Sequence, residues 1–191
     1  MSKIVPLDPL LLLHIELEQV QPAVWRRVVV PKRITLSKLD RVIQIVMGWS
    51  DSHLHEFEIA GKRYGIPDPD DAWNASLLTD KRMSLAKSLG GADSFGYVYD
   101  FGDDWQHRIR VEKTLPAVAC LQVPFCVDGA NACPPEDVGG ALGYFEFLMA
   151  IKDPGHPEHK TMRDWWGGDF DPRAFDCAPI NARLKRIMAR R

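Results

Sequence analysis

The stretch Tyr97-Val-Tyr-Asp-Phe-Gly-Asp-Asp-Trp-Gln-His-Arg-Ile-Arg-Val-Glu112 decides the fold, because it places an acidic turn between two strand-like runs. Alternate side chains of a strand share one face, so Tyr97, Tyr99 and Phe101 lie together, and Trp105 starts the matching face of the return strand. Gly and Asp are preferred in tight turns, which assigns the turn to Gly102-Asp103-Asp104. The sequence predicts a β-hairpin with buried aromatic side chains and exposed turn aspartates.

The turn also admits a functional interpretation. Asp100, Asp103 and Asp104 lie within five residues, and His107 follows them. Carboxylates this close repel one another unless water, a cation or a basic side chain offsets their charge. A solvated structural turn explains the same residues, so both interpretations stay open.

Composition limits the possible classes of protein. With 191 residues, 46% of them hydrophobic, the chain can bury one substantial core. A net charge of -2 excludes a protein that coats nucleic acid by overall charge, although a local DNA contact is still allowed. The apolar run Leu10–Leu13 is too short for a membrane span, so we predict a cytoplasmic protein without membrane contact. The cysteines contain no C-x-x-C pair and are expected to be reduced thiols; they are Cys120, Cys126, Cys133 and Cys177.

Hydrophobic periodicity predicts an α+β fold. Apolar residues at helical spacing from Thr35 to Met47, followed by Gly48, indicate one N-terminal amphipathic helix. We expect an antiparallel sheet of about five strands, packed by this helix and by C-terminal helices. The predicted strands are Leu11–Leu17, Val24–Val30, His55–Ile59, Tyr97–Phe101 and Trp105–Val111.

The remaining sequence suggests a single domain spanning residues 1–191. Gly, Pro and Asp dominate after Pro116, so an irregular loop is predicted over 117–143. Helical patterns with Pro near their starts resume after it, and 144–191 is predicted to be helical.

Several motifs resemble the plasmid pRiA4b ORF-3-like family. The resemblance covers the chain from about Leu11 to Leu184 and is carried by Val42–Trp49, His53–Phe57, Tyr99–His107, Pro134–Gly140 and Gly143-Tyr144. It implies a compact single α+β domain in a family found on plasmids, mobile elements and chromosomes, with no established biochemical activity. Many members carry a further cysteine where this chain has Val138, so the resemblance implies no cysteine-based metal site here.

Two further groups of residues are candidate ligand sites. His53 and His55 are spaced so that they would point the same way on a strand and could chelate a transition metal, although a hairpin with one polar face shows the same pattern. Glu136-Asp137, between Pro135 and Gly139-Gly140, could place a carboxylate pair over the hairpin tip or simply face water.

An aromatic pair and a basic cluster are further candidate binding sites. Trp165-Trp166 could stack on a base, a sugar or a partner, but such pairs are more often core or interface. Positive charge is concentrated at the C-terminus, where it could bind phosphate or only complement a helix end; the residues are Arg183, Lys185, Arg186, Arg190 and Arg191.

Three functional hypotheses follow. No phosphate-binding loop, dinucleotide motif, H-E-x-x-H or G-x-S-x-G occurs, so we favour a binding or interaction module with a protein or peptide partner. The alternatives are a metal-assisted hydrolase built on the Asp100–His107 hairpin, using a divalent metal, and a DNA-associated accessory protein of a mobile element. If there is a ligand site, we expect it where the hairpin tip meets the Cys133–Gly140 loop. The candidate residues are Asp100, Asp103, Asp104, His107, Glu136 and Asp137.

Overall fold

The structure is a computed structural model that describes residues 8–68, 76–117 and 122–189, with side chains described as far as Arg186. Within those residues the chain forms eight strands and five helices. The strands are β1 (Leu10–Leu17), β2 (Val24–Pro31), β3 (His55–Ile59), β4 (Lys62–Gly65), β5 (Leu78–Thr79), β6 (Ser94–Tyr99), β7 (Trp105–Leu115) and β8 (Phe125–Ala130). The helices are α1 (Leu36–Met47), α2 (Leu85–Leu89), α3 (Gly140–Lys152), α4 (His159–Trp166) and α5 (Cys177–Ala189).

All eight described strands belong to one sheet, in the order β5-β4-β3-β6-β7-β1-β2-β8. Neighbouring strands are antiparallel except β4 and β5, which are parallel. The predicted hairpin forms between β6 and β7, with Tyr99 opposite Trp105 and Tyr97 opposite His107. Strand β3 lies on its other side, with His55 opposite Tyr99, so three strand ends meet at the turn.

The fold prediction is broadly right as α+β, but the expected sheet and helix arrangement is wrong. The sheet has eight strands and is mixed, rather than about five antiparallel strands, and α1 is not the only helix before the C-terminal ones because α2 precedes the hairpin. Strands β4 and β5 are only four and two residues long, too short for a periodic signal. Strand β8 lies at an edge, where Cys126 is its only buried residue, so it lacks the apolar alternation of a core strand.

The range 117–143 is expected to be irregular, but its described residues include β8 and the first turn of α3. That a single domain spans the chain stays a prediction. In the part of the chain that is described, no helix has the length and apolar character needed to cross a membrane.

The hydrophobic core lies between one face of the sheet and the helices. Helix α1 is capped at its N-terminus by Thr35, whose side chain accepts a hydrogen bond from the backbone N–H of Lys38, and at its C-terminus by Gly48, which has a φ of 102°. Nearly all of its residues are buried, and they join one cluster with the inner residues of the strands, such as Ile15, Phe57 and Ile109. The face of α1 that meets the sheet also carries polar side chains, and these lead to the candidate site.

Candidate functional site

A buried polar network ties α1 to the sheet beneath the site. His55 lies between two buried carboxylates: its Nδ1 is 3.3 Å from Oδ1 of Asp40 and its Nε2 is 3.0 Å from Oδ2 of Asp80. The hydroxyl of Tyr97 donates to Asp40 and accepts from the amide of Gln44 at 3.0 Å. The network therefore joins α1, β3 and β6.

Burial sets the protonation of this network. Loss of solvation raises the pKa of Asp40 to about 6, although His55 and the Tyr97 hydroxyl oppose that rise. Burial alone would lower the pKa of His55, but its hydrogen bond to Asp80 and the charge of Asp40 outweigh that effect and raise it. Because His55 is enclosed, this network supports the fold and offers no open ligand position.

The same network holds the loop that follows α1. Gln44 accepts a hydrogen bond of 3.1 Å through Oε1 from the backbone N–H of Asp51. Next to it, the indole of Trp49 donates to the carbonyl of Pro134 at 3.0 Å and stacks on Tyr99 with ring centroids 5.0 Å apart. Loop 49–53 is thereby fixed against both the hairpin and the Pro134 segment.

The hydroxyl of Tyr99 is the junction of these segments. It accepts hydrogen bonds from the backbone N–H groups of Ser52 and His53, at 3.0 and 3.3 Å, and donates to Oε1 of Glu136 at 2.6 Å. The other oxygen of Glu136 accepts from the backbone N–H of Ser50 at 3.1 Å and from its hydroxyl. Burial and this carboxylate raise the pKa of Tyr99, so its hydroxyl stays protonated as the donor.

The acidic turn contacts the Cys133–Gly140 loop directly. Oδ2 of Asp103 accepts a hydrogen bond of 3.2 Å from the backbone N–H of Gly139. Asp100 is 8% exposed, and its Oδ1 accepts from the backbone N–H groups of Gly102 and Asp103, at 3.0 and 3.4 Å. Gly140 comes so close to Asp103 that a Cβ there would lie 2.5 Å from the Asp103 carbonyl oxygen. The hairpin tip and the loop thus meet.

At this meeting point three side chains converge. Nε2 of His53 lies 3.1 Å from Oδ1 of Asp137 and 3.5 Å from Oδ2 of Asp100. A ligand atom of each residue lies within 4.8 Å of the other two. Asp100 and Asp137 both have left-handed backbones, with φ of 55° and 59°, a conformation that Asp tolerates better than most residues. We call His53, Asp100 and Asp137 the His-Asp-Asp cluster.

The structure does not bring all the candidate residues together. His107 is buried among Tyr97 and Trp49, and burial lowers its pKa to about 4. Asp104 is exposed, and its carboxylate accepts a hydrogen bond from the side-chain amide of Gln106, two residues along the chain. His55 faces the core while His53 precedes β3 and faces the cluster, so the two histidines do not form the chelating pair that their spacing suggested.

One aromatic expectation is also wrong. Tyr99 and Trp105 are buried, but Phe101 is 55% exposed. Strand β6 ends at Tyr99, and the positive φ of Asp100 breaks the alternation, which turns Phe101 outward.

The other predicted clusters lie elsewhere. Trp165 and Trp166 are about half exposed and contact Phe147 edge-on. Arg183 and Arg186 are exposed on α5, whereas Arg190, Arg191 and Cys120 lie outside the described residues. The remaining cysteines are free thiols, with Cys126 and Cys177 sulfurs 4.0 Å apart.

Sequence reasoning missed the residues that assemble the site. Asp40 and Gln44 are polar residues one helical turn apart on the buried face of α1, and that interruption of an apolar stripe was the available signal. Ser50 and Asp80 carry no comparable local signal, because their roles depend on contacts distant in sequence.

Comparison with known proteins finds a matching family and relatives that are similar along most of the chain. The profile of the plasmid pRiA4b ORF-3-like protein family matches residues 10–179. The uncharacterized protein y4hQ of Sinorhizobium fredii is 41% identical over 181 residues, which cover 93% of this chain and 92% of that protein. The crystal structure of the protein of unknown function MM3350 from Methanosarcina mazei Go1 is similar at a TM-score of 0.82 and 36% identity, covering 90% of this chain and 97% of that chain. On these matches, the chain belongs to the plasmid pRiA4b ORF-3-like family.

Proposed function

We propose that this protein is a binding module that holds a divalent cation in the His-Asp-Asp cluster. The observation that carries the proposal is the convergence of one imidazole nitrogen and two carboxylate groups, all within 4.8 Å, from three separate segments of the chain. Imidazole and carboxylate together suit Zn²⁺ or Mn²⁺ better than Ca²⁺, which prefers oxygen ligands alone.

The surroundings of the cluster support this proposal. The Tyr99 hydroxyl holds the backbone of His53, and Asp100 is held by the N–H groups of its own turn, so two of the ligands are fixed by the fold. Asp137 follows Glu136, which Tyr99 and Ser50 hold in place. Preorganised ligands lower the entropic cost of binding a cation. Direct contact between the His53 ring and both aspartates is the competing explanation, and it requires no metal.

Hydrolysis is not part of the proposal. The histidine expected to assist it, His107, is 1% exposed, packs edge-on against Trp49 and is not a member of the cluster. A protein or peptide partner stays a prediction. Basic peptides are candidate ligands, since the Asp137 side chain is 72% exposed beside the buried carboxylate of Asp100.

Metal binding is tested with a matched pair of variants. Asp137→Asn removes a ligand, whereas Asp104→Asn removes the same charge from a residue with nearly the same φ, 54°, outside the cluster. Asn tolerates the left-handed conformation as Asp does, so both variants should fold. Metal content is measured on the purified protein, and calorimetry follows the addition of Zn²⁺, Mn²⁺ and Mg²⁺ after chelation, with a lysine-rich peptide as a separate titrant.

We expect Zn²⁺ or Mn²⁺ to bind the parent and the Asp104→Asn variant with equal affinity. Asp137→Asn should weaken binding at least tenfold, because a charged ligand contributes more binding free energy than one ordinary hydrogen bond. Equal weakening in the two variants would assign the effect to general charge. No bound metal and no heat with any of the three proteins would leave direct contact between His53 and the two aspartates as the explanation.

A further inference from the structure

An open cavity lies beside loop 49–53, where α1 approaches α5. It has a volume of about 550 Å³, within the size range of small-molecule sites. Arg41 of α1 and Arg183 and Arg186 of α5 line it. Ile45 and Trp49 add apolar surface, and Gln44, Ser50 and Asp51 supply polar atoms.

The three arginines have no carboxylate partner among the described residues, whereas several other arginines do. Arg27, Arg63, Arg108 and Arg163 each form an ion pair with a carboxylate. Arg26 instead donates its guanidinium hydrogen bonds to backbone carbonyls, including those of Val46 and Ala130. Among the described residues, Arg41, Arg183 and Arg186 have no ion pair or hydrogen-bonded carboxylate, and Asp51 is the single acidic residue lining the cavity.

We propose that this cavity binds a small phosphate-bearing molecule. A guanidinium donates through a planar fork that matches two oxygens of a phosphate, and two or three such groups around one cavity can neutralise a dianion. The apolar surface of Ile45 and Trp49 would contact the organic part of the ligand, as apolar walls do in most small-molecule sites. The volume admits a molecule of nucleotide size and no folded macromolecule.

The alternative is that these are solvated surface arginines without a ligand. Water solvates an exposed guanidinium, so leaving it unpaired costs little folding free energy. Their arrangement favours the binding site, because they come from two helices far apart in sequence and line the same open cavity. The site is independent of the cation cluster, but the two are neighbours: Ser50 lines this cavity and also donates to Glu136, next to Asp137.

The experiment uses the full chain and defined probes. Binding of inorganic phosphate, pyrophosphate and adenosine monophosphate is measured by calorimetry in a chloride buffer free of phosphate and sulfate. The cavity variant is Arg183→Gln with Arg186→Gln. Its control is Arg82→Gln with Arg173→Gln, which removes the same charge from two exposed arginines that lie outside the cavity and form no ion pair with described residues. Arg41→Gln tests the α1 side alone.

We expect pyrophosphate or the nucleotide to bind the parent and the control variant within twofold of each other, and the cavity variant at least tenfold more weakly, because charge-assisted hydrogen bonds are lost. Arg41→Gln should weaken binding in the same direction. Thermal unfolding midpoints should agree across the variants, since all five arginines are exposed.

Three results would overturn the proposal: no binding of any probe to the parent, equal binding by the cavity variant, or equal losses in the cavity and control variants. A single-stranded oligonucleotide forms a fourth arm. Tighter binding of the oligonucleotide than of pyrophosphate, with a steep salt dependence and equal losses in both double variants, would assign the basic surface to nucleic acid instead. Metal binding in the cavity variant reports separately on the His-Asp-Asp cluster.

Discussion

The hydroxyl of Tyr97 donates a hydrogen bond of 2.7 Å to Oδ1 of Asp40 in the interior of the protein. This contact links the middle of β6 to α1, and the carboxylate also faces His55. Both side chains are buried, so water cannot replace the bond. The stability of the fold should therefore depend on one phenolic oxygen.

Tyr97→Phe should lower the free energy of unfolding by about 1–3 kcal/mol. The buried Gln44 amide N–H group loses its acceptor, and the Asp40 carboxylate loses one of its two close partners and keeps His55. Tyr64→Phe is the matched control. Tyr64 is 2% exposed, but its hydroxyl forms no hydrogen bond with the described residues, so little change is expected. Urea denaturation measures both, and equal midpoints for the two variants would contradict the role given to the Tyr97 hydroxyl.

His107 should make stability depend on pH. Burial lowers its pKa from 6.5 to about 4, so between these values the unfolded chain binds a proton that the folded chain does not. Stability from this residue is complete above pH 6.5 and is lost as the pH falls toward 4. The lowered pKa corresponds to a loss of about 3 kcal/mol over that interval.

His107→Gln removes this titration, so the difference in unfolding free energy between parent and variant should change by about that amount from pH 6.5 to pH 4. Comparing the two proteins cancels the contributions of Asp40 and His55, both of whose raised pKa values act in the opposite direction, with stability lost as the pH rises. Parallel curves for parent and variant would show that His107 is protonated alike in the folded and unfolded chains.

Alternation and helical spacing could predict the paired strands around Asp100 and the helix that ends at Gly48, because these depend on local pattern. Alternation also puts His107 on the inner face with Trp105 and Ile109, so the sequence could predict that His107 is buried. Naming His107 as a site candidate did not take this burial into account. The approach of His53 to Asp137 was not readable. It depends on the Tyr99 hydroxyl contacting two loops that are far apart in the sequence.

Gly140 should be required for the contact between the loop and the acidic turn. Its φ of 67° strains any residue with a Cβ, and that Cβ would also lie 2.5 Å from the backbone oxygen of Asp103, which no rotamer change can relieve. Gly167→Ala is the control, since Gly167 has a φ of 90° and open space around it. Both variants incur backbone strain of about 1–2 kcal/mol, and Gly140→Ala should lose a further 1–3 kcal/mol, roughly, from the clash.

Thermal unfolding of the two alanine variants measures this difference, and Zn²⁺ or Mn²⁺ titration of the same proteins adds a second readout. If the loop places Asp137 by resting on Asp103, Gly140→Ala should weaken cation binding as well as stability, whereas Gly167→Ala should leave binding unchanged. Equal unfolding midpoints would mean that the loop and turn can separate at no cost. In that case the contact between Gly140 and Asp103 would not be what places Asp137 next to His53.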